Sequence, residues 1–254
     1  MKKTNQLLNL VLVALLSVSC TSKKAGTSSE WTNLLDEDLS QWRIYQKDIG
    51  YDVNEKNVFS VVKDNGELVL HNTGEIFGCI FTKQDFRNYH LKLQYKFGTV
   101  KYPPREDKAR DSGILYHSQG EAGVDGYWQT WMLSQEFQVM EYSPEEGVSG
   151  DYYAMATAQV NVVGDATVSN RYPVTGNYTS PAGEWTTLEL FCYEGKSLHV
   201  VNGKLALALE NSSYRNGDEL LPLVEGKIQL QSEAAEIFFK DIQIKEICEL
   251  PEIK

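Results

Sequence analysis

The 254-residue chain predicts an all-β fold, a sandwich or jelly roll, on three observations. Residues 89–97 alternate apolar and polar side chains cleanly, as a strand with one wet face does. Asn65-Gly66 and Asn202-Gly203 each sit between short apolar runs, the mark of tight hairpins whose central residues need positive φ. No segment keeps a helical period beyond a turn or two, and no repeat of propeller or solenoid length is visible.

In chain order, residues 58–62 and 67–70 form the first hairpin, and strands at 78–82 and 89–97 follow. A strand over 111–117 ends in a histidine, and another lies in 134–142. A strand at 185–193 precedes the second hairpin, 198–201 with 205–209. Strands at 227–231 and 237–247 close the series. The long interruptions are 99–110, 118–133, 143–150 and 162–183. Loops of such length often carry function, and the first two bracket the histidine strand.

The first residues read as an export signal. Lys2 and Lys3 precede a short apolar run over 7–16, and small residues lead to Cys20. The run is too short for a comfortable membrane span, so cleavage of residues 1–19 is expected. A cysteine at the cut, with the Ser/Thr/Lys/Gly-rich stretch after it, resembles a bacterial lipoprotein signal. That resemblance implies lipidation of Cys20, a flexible tether over 20–30 and membrane contact through the lipid anchor alone. It places the protein in the periplasm or outer membrane of a Gram-negative bacterium. An ordinary secretory signal with an incidental cysteine is the alternative. One large domain is expected over 31–248, with a C-terminal tail at 249–254.

The formal charge is −11, and loss of residues 1–19 removes two lysines and no acids. The acids are dispersed and no basic stripe appears, which argues against nucleic acid and fits anionic polysaccharide poorly. Besides Cys20 the cysteines are Cys79, Cys192 and Cys248, neither a disulfide framework nor a metal-type pair. A Cys192–Cys248 bridge and free core thiols both remain open.

The chemistry concentrates between Asp111 and Tyr142. Strand alternation puts Glu136 and Gln138 on one face, and a β-bulge before Glu141 would bring that second carboxyl beside them. Two carboxyl groups are what glycosidic chemistry asks for, one to protonate the leaving oxygen and one as base or nucleophile. The alternative is a regular strand with Glu136 and Gln138 on a solvated face. His117 ends the strand that carries Asp111 and leads into the aromatic loop with Tyr127, Trp128 and Trp131. Those rings suit stacking on the apolar faces of sugars, or else plug the core. Arg110 and Asp111 follow a charged loop; Asp111 is a solvated charge, a cation ligand or an acceptor for sugar hydroxyls. No phosphate loop, dinucleotide fingerprint or zinc-protease motif is present.

The order and spacing of several short motifs resemble the bacterial 3-keto-disaccharide hydrolase family over about residues 31–247. They are Leu34-Leu-Asp-Glu-Asp-Leu-Ser-Gln-Trp42, Asp111-Ser-Gly-Ile-Leu-Tyr-His117, Glu136-Phe-Gln-Val-Met-Glu141 with Gly150-Asp151, and Pro181-Ala-Gly-Glu-Trp185. Val201-Asn-Gly203, Lys227-Ile-Gln-Leu-Gln231 and Phe239-Lys-Asp-Ile-Gln-Ile244 complete them. The resemblance implies a concanavalin A-like jelly-roll sandwich and a secreted or lipid-anchored protein acting on glycosides. Two departures stand out. Leu35-Asp36-Glu37 replaces the common Phe-Asn-Gly opening, and Glu141 stands where an aspartate is common.

The implied reaction removes the C2 proton of a 3-keto-glycoside, expels the glycosidic oxygen by β-elimination and adds water. Glu136 or His117 would act as base and acid, and Glu141 or Gln138 would position the ring. A divalent cation could serve the enolate, although no convincing ligand cluster is seen. Arg110, Asp111 and the aromatic rings complete the expected substrate contacts. The strand also resembles the Glu-x-Asp-x-x-Glu strand of laminarinase-type enzymes, with Gln138 at its middle acid. A laminarinase-type hydrolase and a lectin-like carbohydrate-binding module are therefore the alternatives.

Overall fold

Alternating apolar residues raise two antiparallel sheets that face each other across a shared core. The computed structural model describes residues 30–123 and 130–253. The first strands are β1 (Thr32–Asn33), β2 (Trp42–Gln46), β3 (Gly50–Tyr51), β4 (Phe59–Asp64), β5 (Glu67–Asn72), β6 (Gly78–Thr82) and β7 (Tyr89–Lys101). Then come β8 (Asp111–Gln119), β9 (Leu133–Met140), β10 (Tyr152–Met155), β11 (Ala158–Val162), β12 (Val168–Ser169) and β13 (Arg171–Tyr172). The series ends with β14 (Thr186–Tyr193), β15 (Lys196–Val201), β16 (Lys204–Asn216), β17 (Glu219–Pro222), β18 (Lys227–Ser232) and β19 (Ala235–Glu246). Among the described residues the helical content is one short 3₁₀ turn, Glu55–Asn57.

The first sheet runs β12-β11-β16-β15-β14-β7-β19-β5-β4, with β1 on β19 and β17 on β16. The second runs β13-β10-β9-β8-β18-β6-β2-β3. Leu91, Leu93, Leu188, Leu190, Ile237 and Phe239 of the first sheet meet Ile80, Ile114, Phe137, Val139, Ile228 and Leu230 of the second. This all-β sandwich is the predicted class. Both Asn-Gly turns adopt the expected conformation, with φ of 50° and 87° at Asn65 and Gly66 and 48° and 74° at Asn202 and Gly203.

A second apolar layer covers the outer face of the second sheet, where Trp131, Met132 and Ala122 pack on Cys79, Phe81 and Leu115. It turns part of an outward face into a walled cleft. The stretch 162–183, expected to be a loop, contributes β12 and β13 to the sheet edges. Cys192 is buried and Cys248 exposed, and both are free thiols, so the bridge between them does not form. In the tail, Leu250 and Ile253 pack with Phe191, Leu198 and Val200 on the outside of the first sheet. The expected signal segment and Cys20 lie outside the described residues.

Candidate active site

Three adjacent strands supply the floor of the cleft. β8 is the centre, with β9 on one side and β18 on the other. Their registers place Leu115 opposite Glu136 on β9 and opposite Gln229 on β18, and Gly113 opposite Gln138. Ile114, Phe137, Val139 and Leu230 point into the sandwich core. Alternation therefore sends Asp111, Gly113, Glu136, Gln138 and Gln231 outward, into a cleft of about 480 Å³ that the four polar ones line.

Gly113 makes this crowding feasible. A Cβ there would stand 2.2 Å from Glu136 Oε1 and 2.6 Å from Gln231 Oε1. The bare strand segment is the space that the two side chains occupy.

Asp111, Glu136 and Glu233 are nearly sealed from solvent, at 7, 4 and 5% exposure. Gln138 Nε2 donates to Asp111 Oδ1 at 2.7 Å, and Arg105 Nη2 donates to Oδ2 at 2.7 Å. The same guanidinium reaches Glu233 Oε1 through Nη1 at 3.3 Å. Two of the three buried carboxyls thus share one cation while the third has none, an arrangement that favours the protonated forms. Burial lifts Asp111 to about 7, against the pull of Arg105 and the Gln138 amide. Glu136 is held well above the usual carboxylate range by burial and by the charge on Asp111, with partial relief from Gln231. Glu233 is raised by burial and by Asp111, with Arg105 opposing. Asp111, clasped by two donors, is the natural anion of the set. Glu136 faces no cation and is its proton holder.

Tyr153 of β10 lies opposite Glu136 in the register and forms an adjoining wall. Arg171 packs over its ring at 5.0 Å. Trp131 also lines the cleft, but as a buried wall whose indole N–H donates to Gly78 O at 3.1 Å. It is not the exposed stacking platform expected of it. Tyr127 and Trp128 lie outside the described residues.

The structure separates two further expected residues from this cluster. Tyr116 pairs with Gln135 and Gln119 with Leu133, so two residues of β8 stand opposite Ser134 alone. This bulge falls at His117, whose φ is +53°. It turns the imidazole inward, edge-on to Tyr116 at 5.2 Å and to Tyr89 of the opposite sheet at 6.1 Å. There His117 is buried and approaches the backbone of Arg87 and Leu223 without a formed hydrogen bond. Burial drops it to about 4, which keeps it neutral. His117 is a core histidine, and the pairing of Glu136 with His117 in one hollow is corrected.

Glu141 is likewise elsewhere. β9 stays regular to Met140, with no bulge after Gln138, so Glu141 does not rejoin Glu136. Arg110 Nη1 binds it at 2.8 Å, and the pair lines a neighbouring cleft. Among the described residues no three His, Cys, Asp or Glu side chains gather as a metal-binding group.

Sequence reasoning missed Arg105, Tyr153, Gln231 and Glu233. Gln229-Leu-Gln231 carried the signal, since amides alternating with a core leucine mark a polar face. Glu233 follows directly at the strand end. Arg105 sits in a loop read as solvated charge.

Residues 30–245 match the family described as the 3-keto-alpha-glucoside-1,2-lyase-like domain. The chain belongs to this family. Among solved structures, a candidate glycosyl hydrolase from Parabacteroides distasonis is 17% identical with a TM-score of 0.55, covering 86% of this chain and 100% of that one. A Bacillus subtilis protein with a galectin-like fold is 14% identical with a TM-score of 0.53, covering 88 and 97%. A Bacillus licheniformis β-glucanase is 10% identical with a TM-score of 0.50, covering 89 and 100%. No curated protein matches. At these identities the structural likeness establishes the jelly-roll-like fold. Membership of the 3-keto-alpha-glucoside-1,2-lyase-like family supports a carbohydrate-active, glycoside hydrolase-like protein.

Proposed function

We propose that the protein cleaves 3-keto-glycosides by elimination followed by hydration, with Asp111 as base and Glu136 as acid. The observation that carries this reading is a buried carboxyl, raised toward its protonated form, beside a carboxylate clasped by Arg105 and Gln138, both on the floor of one cleft. A ketone at C3 acidifies C2–H because the electron pair left behind moves onto the carbonyl oxygen. Asp111 removes that proton, and its value of about 7 suits a base working near neutrality. The C1–O bond then breaks, and its electron pair leaves with the aglycone oxygen, which takes the proton of Glu136. Water adds at C1 of the resulting enone, its proton going to Glu136 and that of Asp111 returning to C2. The sum is hydrolysis, with both carboxyls restored. Tyr153 offers the sugar ring an apolar face, and Gln231 orients Glu136.

The test is a paired assay of a 3-keto-glucoside and its unoxidised parent. Release of aglycone from the ketone alone is expected, with Glu136→Gln lowering kcat by about 10²–10⁴. Cleavage of unoxidised glucan, or full activity in Glu136→Gln, would reject the assignment. A lipid anchor on Cys20 and residence in the cell envelope belong to the same proposal. Release of the protein from membranes by Cys20→Ser checks them.

A further inference from the structure

The reaction assigned above uses two of the three buried carboxyls that line the cleft. Glu233 is the third, and it meets Arg105 Nη1 through Oε1 at 3.3 Å. Its Oε2 has no protein partner among the described residues. The same reaction leaves one demand without a residue. When the C2 proton departs, negative charge gathers on the ketone oxygen at C3, and a donor aimed at that oxygen lowers the barrier.

We propose that Glu233 is a third catalytic residue, whose carboxylic acid O–H donates to the ketone oxygen at C3 and holds the enolate formed there. The inference rests on the reaction proposed above and adds the group on which its intermediate depends.

Position is the first argument. The second sheet runs β9-β8-β18 here, with Glu136 on β9, Asp111 on β8 and Glu233 one residue beyond β18. Leu230 pairs with Ile114, and continuing that register sets Glu233 beside Asp111 on strands roughly 5 Å apart. Arg105 spans the two carboxyls, at 2.7 Å to Asp111 and 3.3 Å to Glu233. The reacting atoms of the sugar follow one another in the same order: the glycosidic oxygen on C1, the proton on C2, the oxygen on C3. With Glu136 at the first and Asp111 at the second, the next carboxyl in line faces the third.

The location of the protons is the second. Arg105 brings one positive charge to two carboxyls. Asp111 takes the shorter contact and the Gln138 amide as well, so it keeps the negative charge and Glu233 the proton. Burial and the charge on Asp111 raise Glu233 well above the usual carboxylate range, against the pull of Arg105. An ionised Glu233 would repel the growing enolate, whereas the neutral acid donates to it.

The other donors on the floor are already committed. Gln138 Nε2 serves Asp111 Oδ1 at 2.7 Å and Met140 Sδ at 3.7 Å. Arg105 turns Nη1 and Nη2 to the two carboxyls, and its Nε is buried. Gln231 attends Glu136. In the resulting sequence Asp111 takes the C2 proton, and the C–H electron pair passes onto O3 against the Glu233 O–H. The pair returns as C3=O re-forms, C1=C2 forms and the C1–O bond breaks. Glu233 keeps its proton throughout, and hydration passes through an enolate held in the same way.

The experiment follows exchange of the C2 proton of a 3-keto-glucoside with D₂O by NMR in Glu136→Gln, which blocks expulsion of the glycosidic oxygen but not proton removal. Exchange is expected, and adding Glu233→Met should slow it about 10²–10³-fold. Glu233→Gln keeps the shape and an N–H donor, and should bring exchange back to within about tenfold. The same order, wild type over Gln over Met, is expected in kcat for aglycone release with Glu136 intact, and melting curves verify that each variant folds. Exchange and kcat unaltered in the Met variant would overturn the proposal. So would a Gln variant as slow as the Met variant, because the site would then need a charge and not a donor. Exchange that survives Glu233→Met but collapses in Tyr153→Phe would give the role to the phenol and overturn it too. Absence of exchange in every variant, with no aglycone released by wild type, would remove the reaction itself and this role with it.

Discussion

Arg105 is the residue on which the electrostatics of the cleft turn. Among the described residues it is the one guanidinium in contact with both Asp111 and Glu233, and each bond crosses a site nearly closed to water. A hydrogen-bonded cation stabilises the charged form of a carboxyl, so Arg105 opposes the rise that burial imposes on Asp111. Replacing it with methionine keeps the bulk and removes the charge. Asp111 should then hold its proton to a higher pH than about 7, and the acid limb of the activity profile should move upward. Measurement of kcat/KM against pH for Arg105→Met checks the direction. A downward shift, or an unmoved limb with activity kept, would remove Asp111 from the role of base. Arg105 looked like one more solvated charge in its loop, because nothing local announces that two partners arrive from β8 and from beyond β18.

At the level of elements, legibility followed periodicity. Strands with clean alternation or Asn-Gly turns were readable because each signal is local: both hairpins and β7 form where expected. The same period put Glu136 and Gln138 on one face, and both line the cleft. It failed at His117, because a bulge is an extra residue that inverts parity, and the inversion is set by pairing with strands distant in sequence. It failed also at Glu141, where the bulge was expected on β9 and formed on β8 instead. Gln231 and Glu233 were legible only in part, since a polar face on β18 acquires meaning once β18 is known to lie beside β8. Gly113 shows how tightly the three strands share that face. Its backbone is extended, so Gly113→Ala introduces no backbone strain, and the new Cβ meets only side-chain ends. The expected outcome is a folded protein destabilised by about 1–3 kcal/mol. Displacing the Glu136 carboxyl should lower turnover by about 10². Thermal melting and kcat measured together separate the two effects; full turnover with an intact fold would mean that Glu136 does not need this position.

Across the whole molecule, buried titratable groups of opposite behaviour set how stability responds to pH. His117 and His199 are both lowered to about 4 by burial, so the folded protein binds fewer protons than the unfolded chain between about 4 and the ordinary histidine value of 6.5. Their contribution to stability rises with pH across that window. Asp111, Glu136 and Glu233 have the reverse sign, because the folded state keeps protons that the unfolded chain has released. Their contribution is fully present below the ordinary carboxylate range and falls as pH rises, for Asp111 until about 7 and for the two glutamates to well above the ordinary glutamate value. Above pH 6.5 the histidines add nothing further, and the carboxyls of the cleft should dominate the slope. Glu136→Gln isolates one of them, since the amide cannot ionise in either state. Its stability gain over wild type should be small near pH 4.5 and grow toward neutrality, with a limiting slope of about 1.4 kcal/mol per pH unit. Denaturant melts of both proteins between pH 4.5 and 8 measure this difference directly. A gain that does not increase with pH would show that Glu136 ionises freely in the folded protein. The cleft would then lack the proton donor that expulsion of a glycosidic oxygen requires.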